Sequence, residues 1–352
     1  MTIRRTVAVF TLVLSILLCA QVHAKDSYKI AWSIYVGWMP WGYAQDSGIV
    51  DKWASRYGIE IELVQFNDYV ESINQYTAGE FDGCTMTNMD ALTIPAAGGV
   101  DSTALIVGDF SNGNDAIVLK DAQSLADIEG QNVNLVELSV SHYVLARALS
   151  SVGLAERDVR VVNTSDADMV AAFTSSDVTA VVTWNPLLGE IKSMPGANTV
   201  FDSSMIPGEI IDLMVIKTEI AQADPRLGKA LTGAWYETMA LMANGGEAAE
   251  AARTAMAEAS GTDLAGYNAQ LAATQMFYDP APAVEFVRSP VVQETMEKVA
   301  EFSFDHGLLG EGAPDSGVVG IAYPSGKISG SSSNVKLRFD DTYMNLAAQG
   351  EL

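Results

Sequence analysis

Short apolar runs alternate with helical patterns along most of this chain of 352 residues. Residues 28–35, 59–66 and 82–87 are strand-like, and a helical pattern follows each of them. The alternation starts again further along, with strand-like runs at residues 133–138 and 178–183. This order predicts βαβ units, and therefore an α/β fold with two doubly wound lobes.

Two polar segments are candidates for crossovers between the lobes. One is GDFSNGND at residues 108–115, and the other is FDSSMIPGEI at residues 201–210. A strand-like run follows the second segment, and after it helical patterns dominate, which fits a return to the first lobe. The expected division is lobe 1 at residues 25–110 and 208–352, and lobe 2 at residues 111–207. The glycine- and serine-rich stretch at residues 310–333 predicts a loop.

The first 24 residues have the pattern of a secretory signal peptide. Arg4 and Arg5 precede an apolar run at residues 7–19, and Ala24 ends a small-residue cleavage pattern. We therefore expect cleavage after Ala24 and a periplasmic protein. Cys84 is then the one remaining cysteine, so the sequence predicts no intramolecular disulfide.

The chain is strongly acidic, with 44 Asp and Glu against 20 Lys and Arg and a formal net charge of −24. Such a charge repels nucleic acid and anionic membranes and favours cations, although solubility alone would also explain it. We expect a monomer with no nucleic-acid partner.

In open α/β sheets, ligands bind outside the carboxyl ends of the strands. The strand-to-helix turns are therefore the candidate site segments, and none of them contains a lysine or an arginine. These segments are residues 35–41, 84–90, 137–143, 184–190 and 208–214.

Aromatic rings and carboxylates recur in these segments, and together they suit a small cation. Asp212 lies inside an apolar strand, where an unpaired carboxylate is costly to bury, so it needs a partner. A helix start at Ser139 and Ser141 could instead hold an anion, but Glu137 beside it would oppose one. The predicted ligand-binding residues are Tyr35, Trp38, Asn88, Asp90, Glu137, Ser141, Trp184 and Asp212.

Motifs for catalysis, cofactors and metals are missing from the sequence. There is no G-x-S-x-G, H-E-x-x-H, Walker A or G-x-G-x-x-G pattern. His142, His306 and Cys84 are too scattered to predict a metal site. We therefore expect no cofactor, no metal and no enzymatic activity, with an exported carboxylate-dependent enzyme as the less favoured alternative.

Several stretches resemble the periplasmic substrate-binding proteins of the nitrate/sulfonate/taurine class of ABC importers. They are SGIVDKWASRYGIEIELVQF, YTAGEFDGCTMTNMDAL, LADIEGQNVNLVELSVSHYVLARALSSVGL and DVTAVVTWNPLL. Two further stretches, WSIYVGWMPWGYA and TMTNMDALTIPAAGGVDSTALIVGDFSNGND, are similar to a urea-type subgroup associated with urea or guanidine carboxylase systems.

The resemblance implies a periplasmic binding protein of type II that delivers a small ligand to an ABC permease and ATPase complex at the inner membrane. It also implies a ligand cleft built from the same strand-end turns. The best candidate ligand is guanidinium, followed by urea. The alternatives are a small anion such as taurine, a sulfonate or nitrate, and a pyrimidine-type thiamine precursor, although DGCTMT lacks the cysteine-rich run of the enzymes that make that precursor.

Overall fold

The computed structural model describes residues 25–352, so the predicted signal peptide lies outside the described residues. Within residues 25–352, no helix has the length and apolar character needed to cross a membrane.

Fourteen strands are present in the described part of the chain. They are β1 (Ser27–Ser33), β2 (Glu60–Phe66), β3 (Gly83–Thr87), β4 (Ser102–Ser111), β5 (Asp115–Lys120), β6 (Asn132–Leu135), β7 (Arg160–Asn163), β8 (Ala180–Trp184), β9 (Ala197–Asp202), β10 (Ile211–Lys217), β11 (Thr274–Met276), β12 (Gly320–Ala322), β13 (Ile328–Ser329) and β14 (Val335–Phe339).

Fourteen α-helices are described between or after these strands. They are α1 (Met39–Asp46), α2 (Ile49–Tyr57), α3 (Tyr69–Ala78), α4 (Asn88–Ala91), α5 (Val140–Ser151), α6 (Asp166–Thr174), α7 (Leu187–Lys192), α8 (Thr218–Ala223), α9 (Pro225–Ala243), α10 (Glu247–Ala259), α11 (Leu264–Ala272), α12 (Pro280–Arg288), α13 (Pro290–Asp305) and α14 (Thr342–Gln349).

Nine strands form the sheet of the larger lobe, in the order β13-β12-β14-β4-β10-β3-β1-β2, with β11 paired to β4. β1 is parallel to β2 and β3, whereas β10 runs antiparallel between β3 and β4. The amino end of β10 therefore lies at the same edge of the sheet as the carboxyl ends of β1 and β3. That edge faces the second lobe.

The smaller lobe has a five-stranded sheet in the order β7-β6-β8-β5-β9. β6 is parallel to β7 and β8, and β5 is antiparallel to β8 and β9. The chain passes between the sheets twice, at residues 112–114 and at residues 203–210. The prediction of an α/β fold of the periplasmic binding protein type, with two lobes and two crossover segments, is confirmed.

Local sequence explains where the helices near the site begin and end. Asp68 accepts a hydrogen bond from the Glu71 N–H and so caps α3, which begins at Tyr69. Gly48 adopts a φ of 77°, which separates α1 from α2. Thr87 caps α4 through a bond from the Asp90 N–H, which turns the chain sharply at the end of β3.

The lobes are packed against each other in this structure. Val136, Tyr143 and Trp184 of the smaller lobe belong to the same buried apolar cluster as the core of the larger lobe. The cleft between the lobes is therefore closed and largely dry.

The segment at residues 310–333 differs from its sequence prediction. It contains the short strands β12 and β13, and β12 pairs with β14, which itself pairs with β4. This segment extends the sheet of the larger lobe. Strands of two or three residues rich in glycine and serine carry too little apolar periodicity to be predicted.

Candidate ligand site

A small cavity lies between the lobes at the strand-end edge of the larger sheet. Its volume is about 20 Å³, which is room for about one water molecule. Its lining residues come from both lobes and include no lysine or arginine: Tyr35, Trp38, Tyr69, Thr87, Asp115, Val140, Trp184, Ile210 and Asp212.

Three larger grooves lie on the described surface. Their volumes are about 350 Å³ next to Trp32 and Met256, about 670 Å³ next to Asn185 and Gln270, and about 190 Å³ next to Met296. None of the three is lined by a buried carboxylate, whereas Asp115 and Asp212 both line the small cavity. The chemistry of the small cavity makes it the candidate site despite its size.

Four aromatic rings form a connected wall of the cavity. Tyr35 and Trp38 lie in the turn between β1 and α1, with ring centroids 5.0 Å apart. Tyr69, at the start of α3, has its ring 5.5 Å from Trp38 and 5.9 Å from Trp184 at the end of β8. A cation between such rings is attracted by their negative faces.

The carboxylates reach the cavity through strand register. Asp212 is the second residue of β10 and lies opposite Thr87 on β3 and Asp109 on β4. Asp115 begins β5 and lies opposite Trp184 on β8. Side chains directly opposite each other on antiparallel strands point to the same face. The two lining aspartates thus come from different sheets and meet at the cleft.

Hydroxyl groups at the cavity donate their protons to aspartates. The Tyr35 hydroxyl donates to Asp109 at 3.0 Å, and the Tyr69 and Thr87 hydroxyls donate to Asp90 at 2.6 and 2.8 Å. The Tyr69 and Thr87 oxygens also accept from the Thr87 and Asp90 N–H groups. Among these three hydroxyls, the Tyr35 oxygen therefore has the most capacity left to accept a hydrogen bond from a ligand with N–H donors.

Burial without a cation raises the pKa of the aspartates around the cavity. It raises the pKa of Asp115 to about 7 and that of Asp90 to about 6, while hydrogen bonds from Tyr69 and Thr87 and from the Val140 N–H partly offset the rise at Asp90. Burial and the negative charges of Asp109 and Asp115 raise the pKa of Asp212 well above its usual value. One oxygen of Asp90, Asp109 and Asp212 has no protein hydrogen-bond partner.

Other contacts join the lobes around the cavity. The Tyr69 N–H of the larger lobe donates to Asp166 of the smaller lobe at 3.3 Å. Glu209, in the second crossover, accepts hydrogen bonds from Tyr143 and Arg147 on α5 and from Lys298 on α13. These bonds hold the pKa of Glu209 below its usual value although its burial acts in the opposite direction.

The predicted site residues fall into three groups. Tyr35, Trp38, Trp184 and Asp212 line the cavity. Asp90 lies one layer behind it, bound to the hydroxyls of two lining residues. Their roles as ligand contacts stay predictions.

The remaining three predicted residues lie outside the lining. The side-chain amide of Asn88 donates to the Glu209 carbonyl and accepts from the Ile211 N–H, and these two bonds fix the start of β10. Ser141 is buried but does not reach the cavity. The expectation that Glu137 faces the cleft is wrong: β6 ends at Leu135, so Glu137 lies in the following turn with its side chain exposed.

Five lining residues were not predicted from the sequence: Tyr69, Thr87, Asp115, Val140 and Ile210. Asp109, which accepts the Tyr35 hydroxyl, was not predicted either, because Asp109 and Asp115 lie in a segment interpreted only as a crossover. Asp109 is in fact inside β4, which continues to Ser111. Two aspartates flanking an interlobe connection were the available signal.

Comparison with known proteins identifies the family. The sequence profile of the NMT1-like family matches residues 31–257. The chain belongs to the NMT1-like family. A protein of Brucella abortus (strain 2308), named as a binding protein without a stated ligand, is 25% identical over 233 residues, which is 65% of this chain and 70% of the relative. The taurine-binding periplasmic protein of Escherichia coli (strain K12) is 22% identical over 129 residues, covering 36% of this chain and 40% of that protein.

Solved structures place this NMT1-like protein in the same fold class. The alkanesulfonate-binding protein SsuA of Xanthomonas axonopodis pv. citri aligns with a TM-score of 0.68 at 17% identity, over 81% of this chain and 95% of SsuA. The periplasmic nitrate-binding protein NrtA of Synechocystis PCC 6803 aligns with a TM-score of 0.65 at 12% identity, over 93% and 89% of the two chains. At these identities the likeness concerns the fold.

Proposed function

We propose that this protein is the periplasmic solute-binding component of an ABC importer, and that it captures guanidinium, with urea as the next candidate ligand. The observation that carries the proposal is a closed interlobe cavity with aromatic walls and buried aspartates, and without a lysine or arginine in its lining. The family and the binding proteins that share the fold support the transport role. In this role the partners are a permease and an ATPase at the inner membrane.

Charge favours a cation over nitrate, a sulfonate or taurine. An anion about 4 Å from one ionised aspartate would be opposed by about 4 kcal/mol at an effective dielectric constant near 20. The attraction of a helix amino terminus for the anion would offset only about 0.3–1 kcal/mol of this repulsion. The Val140 N–H at the start of α5 also already faces Asp90. A cation instead compensates Asp212 and Asp115 together.

Hydrogen-bonding capacity and size further narrow the choice of ligand. Guanidinium is planar, has N–H groups on every edge and has only four heavy atoms, although the cavity of about 20 Å³ between the rings would have to widen to hold it. A carboxylate accepts two parallel N–H bonds from such a fork. Urea offers the same shape without the charge, so we expect weaker binding.

Ligand size also bounds the affinity. A ceiling of about −1.5 kcal/mol per heavy atom gives about −6 kcal/mol for four atoms, or a dissociation constant of tens of micromolar. Charge neutralisation in a dry cleft would add to this value. A ligand that contacts Asp212 and Trp38 of one lobe and Asp115 and Trp184 of the other favours the closed state.

A thermal-shift and calorimetry panel tests the proposal. The ligands are guanidinium at low millimolar concentration, methylguanidine, urea, taurine, nitrate and a pyrimidine, all at matched ionic strength. A ligand at 100 times its dissociation constant should stabilise the protein by about 2.7 kcal/mol. A response to taurine or nitrate without one to guanidinium would reverse the charge assignment and leave the transport role standing. Product formation from guanidine or urea would instead indicate an enzyme.

A further inference from the structure

Two histidines and a glutamate meet at the lobe interface, away from the lining of the candidate site. His142 lies in the first turn of α5, Glu156 begins a short 3₁₀ turn in the smaller lobe, and His306 ends α13 on the larger lobe. One side-chain atom from each lies within 4.8 Å of the other two. The sequence predicted no metal site because these residues are far apart along the chain.

We propose that His142, Glu156 and His306 form a binding site for a divalent transition-metal ion, with Zn²⁺ as the probe, that ties the two lobes together. Two imidazole nitrogens and one carboxylate oxygen are a ligand set that zinc accepts, with water in the fourth position. The side chains are 5%, 29% and 20% exposed, so the cluster is shielded but reachable by solvent.

The hydrogen bonds of His306 require a positive group between its ring and Glu156. His306 Nδ1 lies 2.7 Å from the Phe302 carbonyl, which can only accept, so neutral His306 carries its proton on Nδ1. Its Nε2 then directs a lone pair at Glu156 Oε1, 2.7 Å away. Two acceptors at this distance repel each other, and a metal ion bound to both removes the repulsion.

The surroundings of His306 also match a metal ligand. A ligating histidine usually donates its second ring N–H to a carbonyl or carboxylate, which fixes the ring orientation. The Phe302 carbonyl is the acceptor for the second ring N–H of His306, and the Phe302 ring stacks on His306 with centroids 4.0 Å apart. His306 Nε2 is thus held toward Glu156.

Zinc binding requires the three side chains to rearrange. Glu156 Oε2 lies 3.1 Å from His142 Nε2 and Glu156 Oε1 lies 2.7 Å from His306 Nε2. The three ligand atoms, now within 4.8 Å of one another, would have to reach the spacing of about 3.3 Å found around tetrahedral zinc. Ligation through His142 Nε2 moves the ring proton to Nδ1, which now accepts from the Leu138 N–H at 3.2 Å. Leu138 lies in a left-handed turn, with a φ of 64°, and is 41% exposed, so water can replace that bond.

Zinc binding to the purified, chelator-treated protein tests the site without any transport ligand. We expect one Zn²⁺ per chain by equilibrium dialysis, a higher melting temperature with zinc, and slower hydrogen exchange at the start of α5 and the end of α13 together. His306→Phe, which keeps the ring on Phe302, and Glu156→Gln should each weaken zinc binding at least about tenfold. Glu301→Gln, which removes an exposed carboxylate from the same helix α13, should not.

Two results would overturn the assignment. Equal zinc binding by the unmodified protein and by His306→Phe and Glu156→Gln would assign the metal to scattered surface carboxylates. The second result is an absence of specific zinc binding together with an interface that tightens on acidification. It would indicate that a proton, and not a metal ion, lies between His306 and Glu156. Circular dichroism of both variants separates loss of a ligand from loss of the fold. Because no guanidinium is present, these results do not depend on the proposed transport function.

Discussion

Asp109 and Asp212 are cross-strand neighbours on β4 and β10, and their carboxyl groups are close enough to share a proton. Asp109 also accepts the Tyr35 hydroxyl, whereas one oxygen of Asp212 has no protein partner at the edge of the cavity. Like charges this close cannot both ionise without a counter-charge. Without a counter-charge the pair is therefore expected to share a proton, and the proposed cation would take the place of that proton.

Replacing Asp212 should abolish recognition of the cation. Asp212→Asn removes a charge-assisted acceptor, so guanidinium affinity should fall about 10- to 100-fold in calorimetry. The melting temperature of the empty variant should not fall, because the new amide can donate a hydrogen bond to Asp109 in place of the shared proton. Glu137→Gln makes the same change of charge at an exposed position and should bind normally. Normal binding by Asp212→Asn would mean that the wrong acid has been named.

Guanidinium affinity should rise between pH 5.5 and pH 8. Burial raises the folded-state pKa of Asp90 to about 6 and that of Asp115 to about 7, from an ordinary value of 3.8. Without ligand, the folded protein thus keeps protons on these aspartates that the unfolded chain has released, and the bound protons stabilise the folded state. This contribution to the free energy of unfolding is lost as the pH rises through about 6 to 7. The proposed cation would bind the ionised aspartates and restore this contribution to the free energy of unfolding. Thermal unfolding and calorimetry at both pH values measure the two effects.

Asp115→Asn is the control for this pH dependence, since it should flatten the part of the curve near pH 7. An affinity that falls with rising pH would contradict a cationic ligand. It would instead indicate an acceptor bound by protonated aspartates.

Removing the aromatic ring that the smaller lobe contributes to the cavity wall should weaken ligand binding without unfolding the protein. Trp184→Leu removes a ring next to Tyr69, and a desolvated cation–π contact contributes up to about 2 kcal/mol, or about 30-fold in affinity. Trp53→Leu is the matched control, because Trp53 bonds Glu237 on the far side of the larger lobe. Equal losses in both variants, measured by calorimetry, would point to general destabilisation.

The closed state should depend on Arg147. Arg147→Gln leaves Glu209 with Tyr143 and Lys298 as partners, and losing a half-exposed ion pair costs about 1 kcal/mol. Ligand affinity should fall about fivefold, mainly through faster dissociation in stopped-flow measurements. Arg160→Gln changes an exposed arginine that bonds Asn132 within the smaller lobe, and it should dissociate at the normal rate.

The sequence was informative about strand-end positions that end apolar runs. Tyr35, Trp38 and Trp184 could be placed at the cleft because parallel strands bring their carboxyl ends to one edge. Asp212 lies at the amino end of the antiparallel strand β10, and its signal was different, because its carboxylate interrupts an apolar strand.

Other parts of the site depend on contacts that periodicity does not encode. Glu137 was misplaced because β6 ends two residues before it, and such an end is set by tertiary pairing with β7 and β8. Tyr69 reaches the cavity only because α3 starts next to Trp38 and Trp184. The meeting of His142 and His306 requires lobe packing, which sequence spacing cannot reveal.

The two aspartates of the cavity sit immediately beyond the two connections that join the lobes, since Asp115 follows residues 112–114 and Asp212 follows residues 203–210. Under the proposed function, repulsion between the ionised carboxylates of Asp115 and Asp212 would act next to these connections and oppose packing of the two lobes against each other. A bound cation would remove this repulsion and favour the closed state. The position of the two aspartates along the chain would thus couple ligand charge to the arrangement of the lobes.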